Sequence, residues 1–232
     1  MQPNLLSNIL IVPDVISSAG TDFILAHARQ HSHTDLSVFD PDRSNATGRT
    51  EFAVDKAVRD TQMIDMDKIM PLIIDLYKNT VSNIINPFYE FEIRDSEVPQ
   101  LLRYGPGGHY QPHVDGQSLW QPPGNEPLIW RKSTDRDIST VFFLNDDFEG
   151  GDFVFPDLHI RIRPRAGMLV CFPSTHQYIH GVEPVTSGER YSMVNWMTIK
   201  DFPTMADEEQ QIAAKYKIKP QHKSVIPKGT KQ

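Results

Sequence analysis

The sequence predicts a mainly β protein, with a sandwich or jelly-roll core and helices supplied by its N-terminal part. Three observations lead there. After Pro87, short runs of β-branched and aromatic residues follow one another closely, separated by Gly and Pro, as in all-β sandwiches and rolls. Before Pro87, two segments instead place their apolar residues at helical spacing. Helices do not alternate with the later strands, which removes the parallel α/β plan, and no internal repeat is evident.

The elements follow in order. Asn8-Ile9-Leu10-Ile11-Val12 reads as a short strand closed by Pro13-Asp14, before a helix capped near Ser17 or Ser18. Phe23, Ile24, Leu25, Ala26 and Ala28 fit a helix of roughly four turns. His27 and His31 have i, i+4 spacing, but no nearby carboxylate completes a ligand set, so they are read as a helix terminus rather than a metal site. Asp40 to Arg49 is polar and turn-rich and is expected as a surface loop. From Asp67 to Ile85, apolar residues recur at helical spacing with Pro71 in the first turn, predicting a long helix packed on a sheet. Phe88, Tyr89, Phe91 and Ile93, then Leu101, Leu102 and Tyr104, read as extended. Further strands are expected at 138–144, 152–155, 159–163, 168–172 and 191–199.

Composition bounds the function. The chain has 232 residues, 39% hydrophobic and 23% charged, ordinary values for a globular protein, and is read as a single domain. No apolar run approaches the roughly 20 residues of a membrane span, so no membrane partner is expected. Met1 to Leu6 lacks a secretory pattern, making a cytoplasmic location the expectation. A net charge of −7 argues against general nucleic-acid binding. The lone cysteine, Cys171, excludes an intramolecular disulfide and a cysteine-rich zinc site; it lies in an apolar run and is expected as a buried thiol. Lys215, Lys217, Lys219, Lys223, Lys228 and Lys231 form a basic tail read as solvated.

Chemistry is concentrated around His113-Val114-Asp115. In an extended segment residues two apart share a face, so both side chains can reach one ion, and the distant His180 sits where it can complete the set. Two imidazoles and one carboxylate with open positions form the facial triad of non-haem Fe(II) oxygenases. Spacing alone is weak, because an exposed His–Asp pair joined by a hydrogen bond arises often.

The surrounding residues are more specific. Leu102-Arg103-Tyr104-Gly105-Pro106-Gly107-Gly108-His109-Tyr110-Gln111-Pro112-His113-Val114-Asp115 resembles the iron-binding strand of 2-oxoglutarate-dependent oxygenases of the prolyl 4-hydroxylase type. Phe142-Phe143-Leu144-Asn145-Asp146, Glu149-Gly150-Gly151-Asp152-Phe153, Phe155-Pro156 and His180-Gly181-Val182-Glu183-Pro184-Val185 follow in that family's order, leading through Gly188-Glu189-Arg190 to Trp196. The resemblance implies a double-stranded β-helix, a jelly roll spanning 100–200. Residues 1–99 would form an N-terminal strand and supporting helices, and 201–232 a C-terminal helix and the basic tail. It implies that His113, Asp115 and His180 bind Fe(II) and that Arg190 pairs with the distal carboxylate of 2-oxoglutarate, for which a guanidinium fork is suited. Tyr104 would be a second carboxylate contact, and Tyr110 would line the opening near iron. Phe143 departs from relatives that carry a cosubstrate-binding tyrosine there. His176, four residues before His180, is the rival third ligand; His109 is expected outside the ligand set and His159 on the solvent face of a strand.

The implied reaction is hydroxylation of an unactivated C–H bond with dioxygen, forming succinate and carbon dioxide, with ascorbate as a candidate reductant. A prolyl residue in a peptide or protein is the family-level substrate, with a free amino acid or other small molecule as the alternative. The insert after Asp115 is read as a lid whose Trp120, Trp130 and Arg131 touch substrate. Two other classes stand beside this reading: a zinc hydrolase, which leaves Arg190 unexplained, and a non-catalytic jelly-roll binding module. Oligomeric state is not legible.

Overall fold

The computed structural model describes residues 8–39 and 52–219; the expected loop from Asp40 to Arg49 and the tail lysines Lys223, Lys228 and Lys231 lie outside them. Two antiparallel sheets face each other. The larger, eight-stranded, runs in the order Leu10–Val12, Leu169–Pro173, Ile138–Phe143, Arg190–Ile199, Gln100–Tyr104, Gln62–Ile64 and His33–Asp35, with Ile93–Ser96 pairing the far half of Arg190–Ile199. The smaller, five-stranded, runs Ile160–Ile162, Phe153–Phe155, His180–Val182, His109–His113 and Arg59–Asp60. This is the jelly roll expected from the later strands.

The larger sheet is covered on both faces, and strict alternation divides its side chains between two cores. Phe142, Leu169, Cys171, Met193 and Leu101 point to the helices, while Val141, Phe143, Val170, Phe172 and Leu102 point to the smaller sheet and meet Phe153 and Phe155. All six residues of Ile138–Phe143 are therefore buried, the polar Ser139 and Thr140 included, so the strand shows no alternation of buried and exposed positions. Each fully buried phenylalanine contributes about 1.5–3 kcal/mol of transfer free energy.

The helix Ser18–Ala28 begins where expected, with the Ser17 hydroxyl accepting the Gly20 N–H at 3.3 Å. Its 11 residues make about three turns rather than four, and Ile24, Leu25 and Ala28 bury against the sheet. His27 and His31 stack with ring centroids 3.8 Å apart, and each has a ring nitrogen on a backbone carbonyl. The long helix starts at Met70 with Pro71 in its first turn and packs through Ile73 and Tyr77. It does not stop before Pro87. A π-helical turn, Val81–Ile85, leads into a further helical turn, Asn86–Tyr89, so Phe88 and Tyr89 are helical, not extended. Pro87 sits at the start of that last turn, where its missing N–H removes little bonding. The helix ends at Glu90, which adopts a left-handed conformation (φ 59°). The Tyr89 hydroxyl lies 2.7 Å from the Asn8 carbonyl oxygen and 3.0 Å from that of Cys171, tying this helix to the sheet edge.

The insert after Asp115 folds as a hairpin, Gln117–Trp120 against Ile129–Lys132, since its ends are rich in β-formers that pair in register. One further expectation is corrected. His159 is exposed, yet it occupies a left-handed turn (φ 55°) just before the strand Ile160–Ile162 rather than the strand itself. The C-terminal helix, Met205–Tyr216, opens with a capping box between Thr204 and Asp207. Lys132 ties the hairpin to it: its backbone N–H donates to Glu208 at 2.6 Å, and its ammonium donates to Asp137 (2.6 Å) and the Pro203 carbonyl (2.8 Å). Among the described residues no helix is long and apolar enough to cross a membrane.

Cys171 is fully buried, as expected, and burial pushes its thiol up to about 12. Iodoacetamide at pH 8 should label it at least about a hundredfold more slowly in the native protein than in urea, because the thiolate is the reacting form. Equal labelling rates, followed by mass spectrometry, would contradict this packing.

Candidate metal centre

The site is set by strand register. His113 and His180 are direct partners across the antiparallel pair formed by His109–His113 and His180–Val182. Asp115, two residues beyond His113, joins them, and one ligand atom from each of the three lies within 4.8 Å of the others. The His113 Nε2 is 3.5 Å from one Asp115 oxygen, and the His180 Nε2 is 3.3 Å from the other. Each imidazole turns its Nδ1 to a carbonyl two residues back, Gln111 at 2.9 Å and Tyr178 at 3.0 Å. A carbonyl only accepts, so each Nδ1 carries the proton and each Nε2 lone pair faces the centre.

Electrostatics favour the ligating forms. Burial and the neighbouring His180 lower the pKa of His113, keeping it neutral. Burial alone would raise the Asp115 carboxyl, but His180 and His113 together hold it well below the ordinary carboxylate range. A neutral His113 imidazole beside an ionised carboxylate suits a divalent cation. The carboxylate is further aimed by two serines: the Ser139 hydroxyl donates to Asp115 at 2.7 Å and lies 2.7 Å from the Ser174 hydroxyl. Behind them the Gly116 N–H donates to the Ser174 carbonyl at 2.9 Å, an approach that a Cβ at Gly116 would block.

These ligands open into a cavity between the sheets, walled by Leu102, Val141, Phe153, Val182 and Val194 and holding Arg190. Arg190 is 1% exposed. It sits opposite Tyr104 in register, with its guanidinium carbon 4.8 Å from the Tyr104 ring centre and 5.1 Å from that of Phe143. Its Nη1 donates to the Ser192 hydroxyl at 3.2 Å, but its Nε has no partner, and burial lowers its pKa. No carboxylate pairs with it among the described residues. An uncompensated buried charge costs several kcal/mol, so the arrangement is complete only with an anionic guest. A dicarboxylate reaching from the triad to Arg190 fits this donor set. At Phe143 the ring packs beside the guanidinium and offers it no hydroxyl.

The remaining expected residues divide. Tyr104 and Tyr110 line the cavity, and Tyr110 stacks on His113 with ring centroids 3.7 Å apart. Trp120, Trp130 and Arg131 do not line it. They lie on the hairpin, where Arg131 stacks over Trp120, Trp120 meets Tyr216 of the C-terminal helix, and Trp130 stacks on His176 at 5.1 Å. Hairpin pairing turned these rings into packing contacts, which a loop reading could not foresee. His176 is held by Gln117 at 2.7 Å and stands outside the triad. His109 has both ring nitrogens on backbone carbonyls, those of Gly107 and Ala57. Sequence reasoning missed Ser139, Ser174 and Arg59, and named Trp196 only as the end of a motif; Arg59, Ser139 and Trp196 line the cavity. Alternation gave a usable signal for Trp196, which shares a face with Arg190 and Ser192.

Replacing Ser139 by Ala should weaken Mn(II) binding about 10- to 100-fold, as loss of a hydrogen bond to a ligand commonly does, and Ser139→Thr should restore it. Calorimetric titration that finds unchanged affinity in Ser139→Ala would remove the serine pair from the metal site.

Residues 99–198 match the 2OG-Fe(II) oxygenase superfamily. The chain is 36% identical over 95 residues to prolyl 3-hydroxylase 2 of Rattus norvegicus, a match covering 38% of this chain and 13% of that protein. The matched segment is therefore a small part of that longer relative. Among solved structures, a Trichoplax adhaerens prolyl hydroxylase in complex with a hypoxia inducible factor oxygen degradation domain peptide fragment superposes with TM-score 0.60 and 15% identity, covering 90% of this chain and 87% of that one. The 2OG complex of the viral collagen prolyl hydroxylase from Paramecium Bursaria Chlorella virus-1 gives 0.56 and 18%, covering 82% and 95%. At these identities the two structures establish the shared fold. The motif order and the triad both lie inside this matched segment, which makes up less than half of the chain.

Proposed function

We propose that this chain is an Fe(II)- and 2-oxoglutarate-dependent dioxygenase that hydroxylates a prolyl residue in a peptide or protein. One observation carries the reading: a buried guanidinium with no carboxylate partner, Arg190, shares a cavity with the His113, Asp115 and His180 triad. The zinc-hydrolase reading leaves that cation without an assigned role.

In this proposal His113, Asp115 and His180 hold the metal, while Arg190, aided by Ser192 and Tyr104, takes the distal carboxylate of the cosubstrate. The chemistry that iron and 2-oxoglutarate supply when bound is insertion of one oxygen atom of dioxygen into a C–H bond, coupled to loss of carbon dioxide and formation of succinate. The chain itself contributes position and exclusion. Ser139 and Ser174 fix the carboxylate plane, the two Nδ1–H bonds fix the imidazoles, and the wall of Val141, Phe153, Val182 and Val194 keeps water from the reacting centre. Tyr110, stacked on His113, and Trp196 bound the space left for substrate. The prolyl assignment draws support from the similar proteins, which are named as prolyl hydroxylases, and the peptide assignment from the peptide complex among them.

Succinate formation in the presence of Fe(II), ascorbate and proline-containing peptides, with a one-oxygen mass gain on the peptide, tests the proposal. His180→Ala should abolish both signals. Arg190→Met should raise the KM for 2-oxoglutarate by about 10- to 100-fold, the worth of a hydrogen bond to a charged group, while metal binding persists. Anaerobic addition of Fe(II) and 2-oxoglutarate should give a visible charge-transfer band; bound metal without that band would sink the oxygenase reading.

A further inference from the structure

A second cation faces the same cavity and has no part in the scheme above. Arg59 belongs to the strand Arg59–Asp60, opposite Tyr110 in register, and lines the cavity with it. Its guanidinium carbon stands 4.5 Å over the Tyr110 ring, and Tyr110 in turn stacks on His113. The three side chains thus form a column that ends on a metal-binding residue. Stacking satisfies the face of a guanidinium but none of its N–H donors. The Arg59 Nε is buried without a hydrogen-bond partner, and among the described residues no carboxylate pairs with this side chain.

Charge decides what belongs there. Asp115 is the one carboxylate among the lining residues, and both its oxygens already face His113, His180 and Ser139. With a divalent cation and a dicarboxylate cosubstrate in place, the formal charges of metal, cosubstrate, Asp115 and Arg190 cancel. The charge of Arg59 alone stays unmatched.

Resting on the function proposed above, we infer that Arg59 is a substrate-binding residue that takes a carboxylate of the substrate, close to the carbon that is oxidised. A carboxylate meets a guanidinium edge with two parallel hydrogen bonds, which an amide cannot reproduce. The carboxylate can come from the C-terminus of the hydroxylated residue or from an acidic side chain next to it. Either source separates this enzyme's substrates from neutral proline-rich stretches.

Calorimetry on the Mn(II)- and 2-oxoglutarate-loaded protein under argon distinguishes these sources with two pairs of probes. These are N-acetylproline against N-acetylprolinamide, and N-acetyl-Pro-Asp-amide against N-acetyl-Pro-Asn-amide. The acid of at least one pair should bind about tenfold or more tightly than its amide, and Arg59→Gln should erase that difference while leaving 2-oxoglutarate affinity unchanged. Preference in the first pair assigns the terminal carboxylate, and in the second the acidic neighbour. Equal binding within both pairs, no binding of any probe, or a preference that survives Arg59→Gln overturns the inference and leaves the oxygenase reading standing. Failure of 2-oxoglutarate itself to bind the Mn(II)-loaded wild type overturns both.

Discussion

The register that sets His180 opposite His113 is the constraint on which the rest of the site depends. A strand has a period of two, so a slip of one residue would send one imidazole to the outer face and bring an apolar neighbour inward. Both strands are short, five and three residues, and their own pairing is irregular between His180 and Val182. Their position is enforced from outside: Phe153–Phe155 pairs one of them, Arg59–Asp60 pairs the other, and the phenylalanines between the sheets lock which side faces in. The metal centre is in this sense a product of hydrophobic packing, which decides the register before any ion contributes.

Arg190 depends on the same logic from the opposite sheet. It opens the longest strand, whose inward positions include Arg190, Ser192, Val194 and Trp196 and whose outward ones include Tyr191 and Met193 in the helix-side core. Burying a guanidinium without a carboxylate partner is tolerable because the strand around it is anchored on both edges, by Gln100–Tyr104 and Ile138–Phe143. The energy of the surrounding core offsets the cost of the unpaired cation. Local instability is thus concentrated at the place where a charged guest relieves it.

Much of this was legible in the residues, and the limits have physical causes. The triad and Arg190 were readable because their neighbours, from Leu102 to Asp115 and from His180 to Trp196, carry an ordered set of motifs. Five of the eight strands described from Ile138 onward were readable because burial on one or both faces leaves a hydropathy signature, whereas Glu149–Gly150, His180–Val182 and Val185–Ser187 are too short to carry one. Ser139 and Ser174 were not: a serine announces nothing until a third residue, Asp115, is brought beside it from 24 positions away. Arg59 lies in a two-residue strand too short to carry any periodicity. Phe88 and Tyr89 misled because Pro87 looks like a stop, whereas the π-helical turn before it carries the helix past the proline. For Trp120, Trp130 and Arg131 the sequence did not show the hairpin pairing that sets these side chains beside Tyr216, His176 and one another.

The hairpin between Asp115 and Ile138 has one more consequence. Its root is fixed by bonds that involve only backbone at Gly116, with Ser133 N–H donating to the Gly116 carbonyl at 3.0 Å and Gly116 N–H donating to Ser174. Its tip, from Gln121 to Leu128, joins neither core. Residues added or removed at the tip therefore change neither the strand register nor the ligand geometry. The fold separates a segment free to vary in length and composition from a ligand geometry that tolerates almost no change.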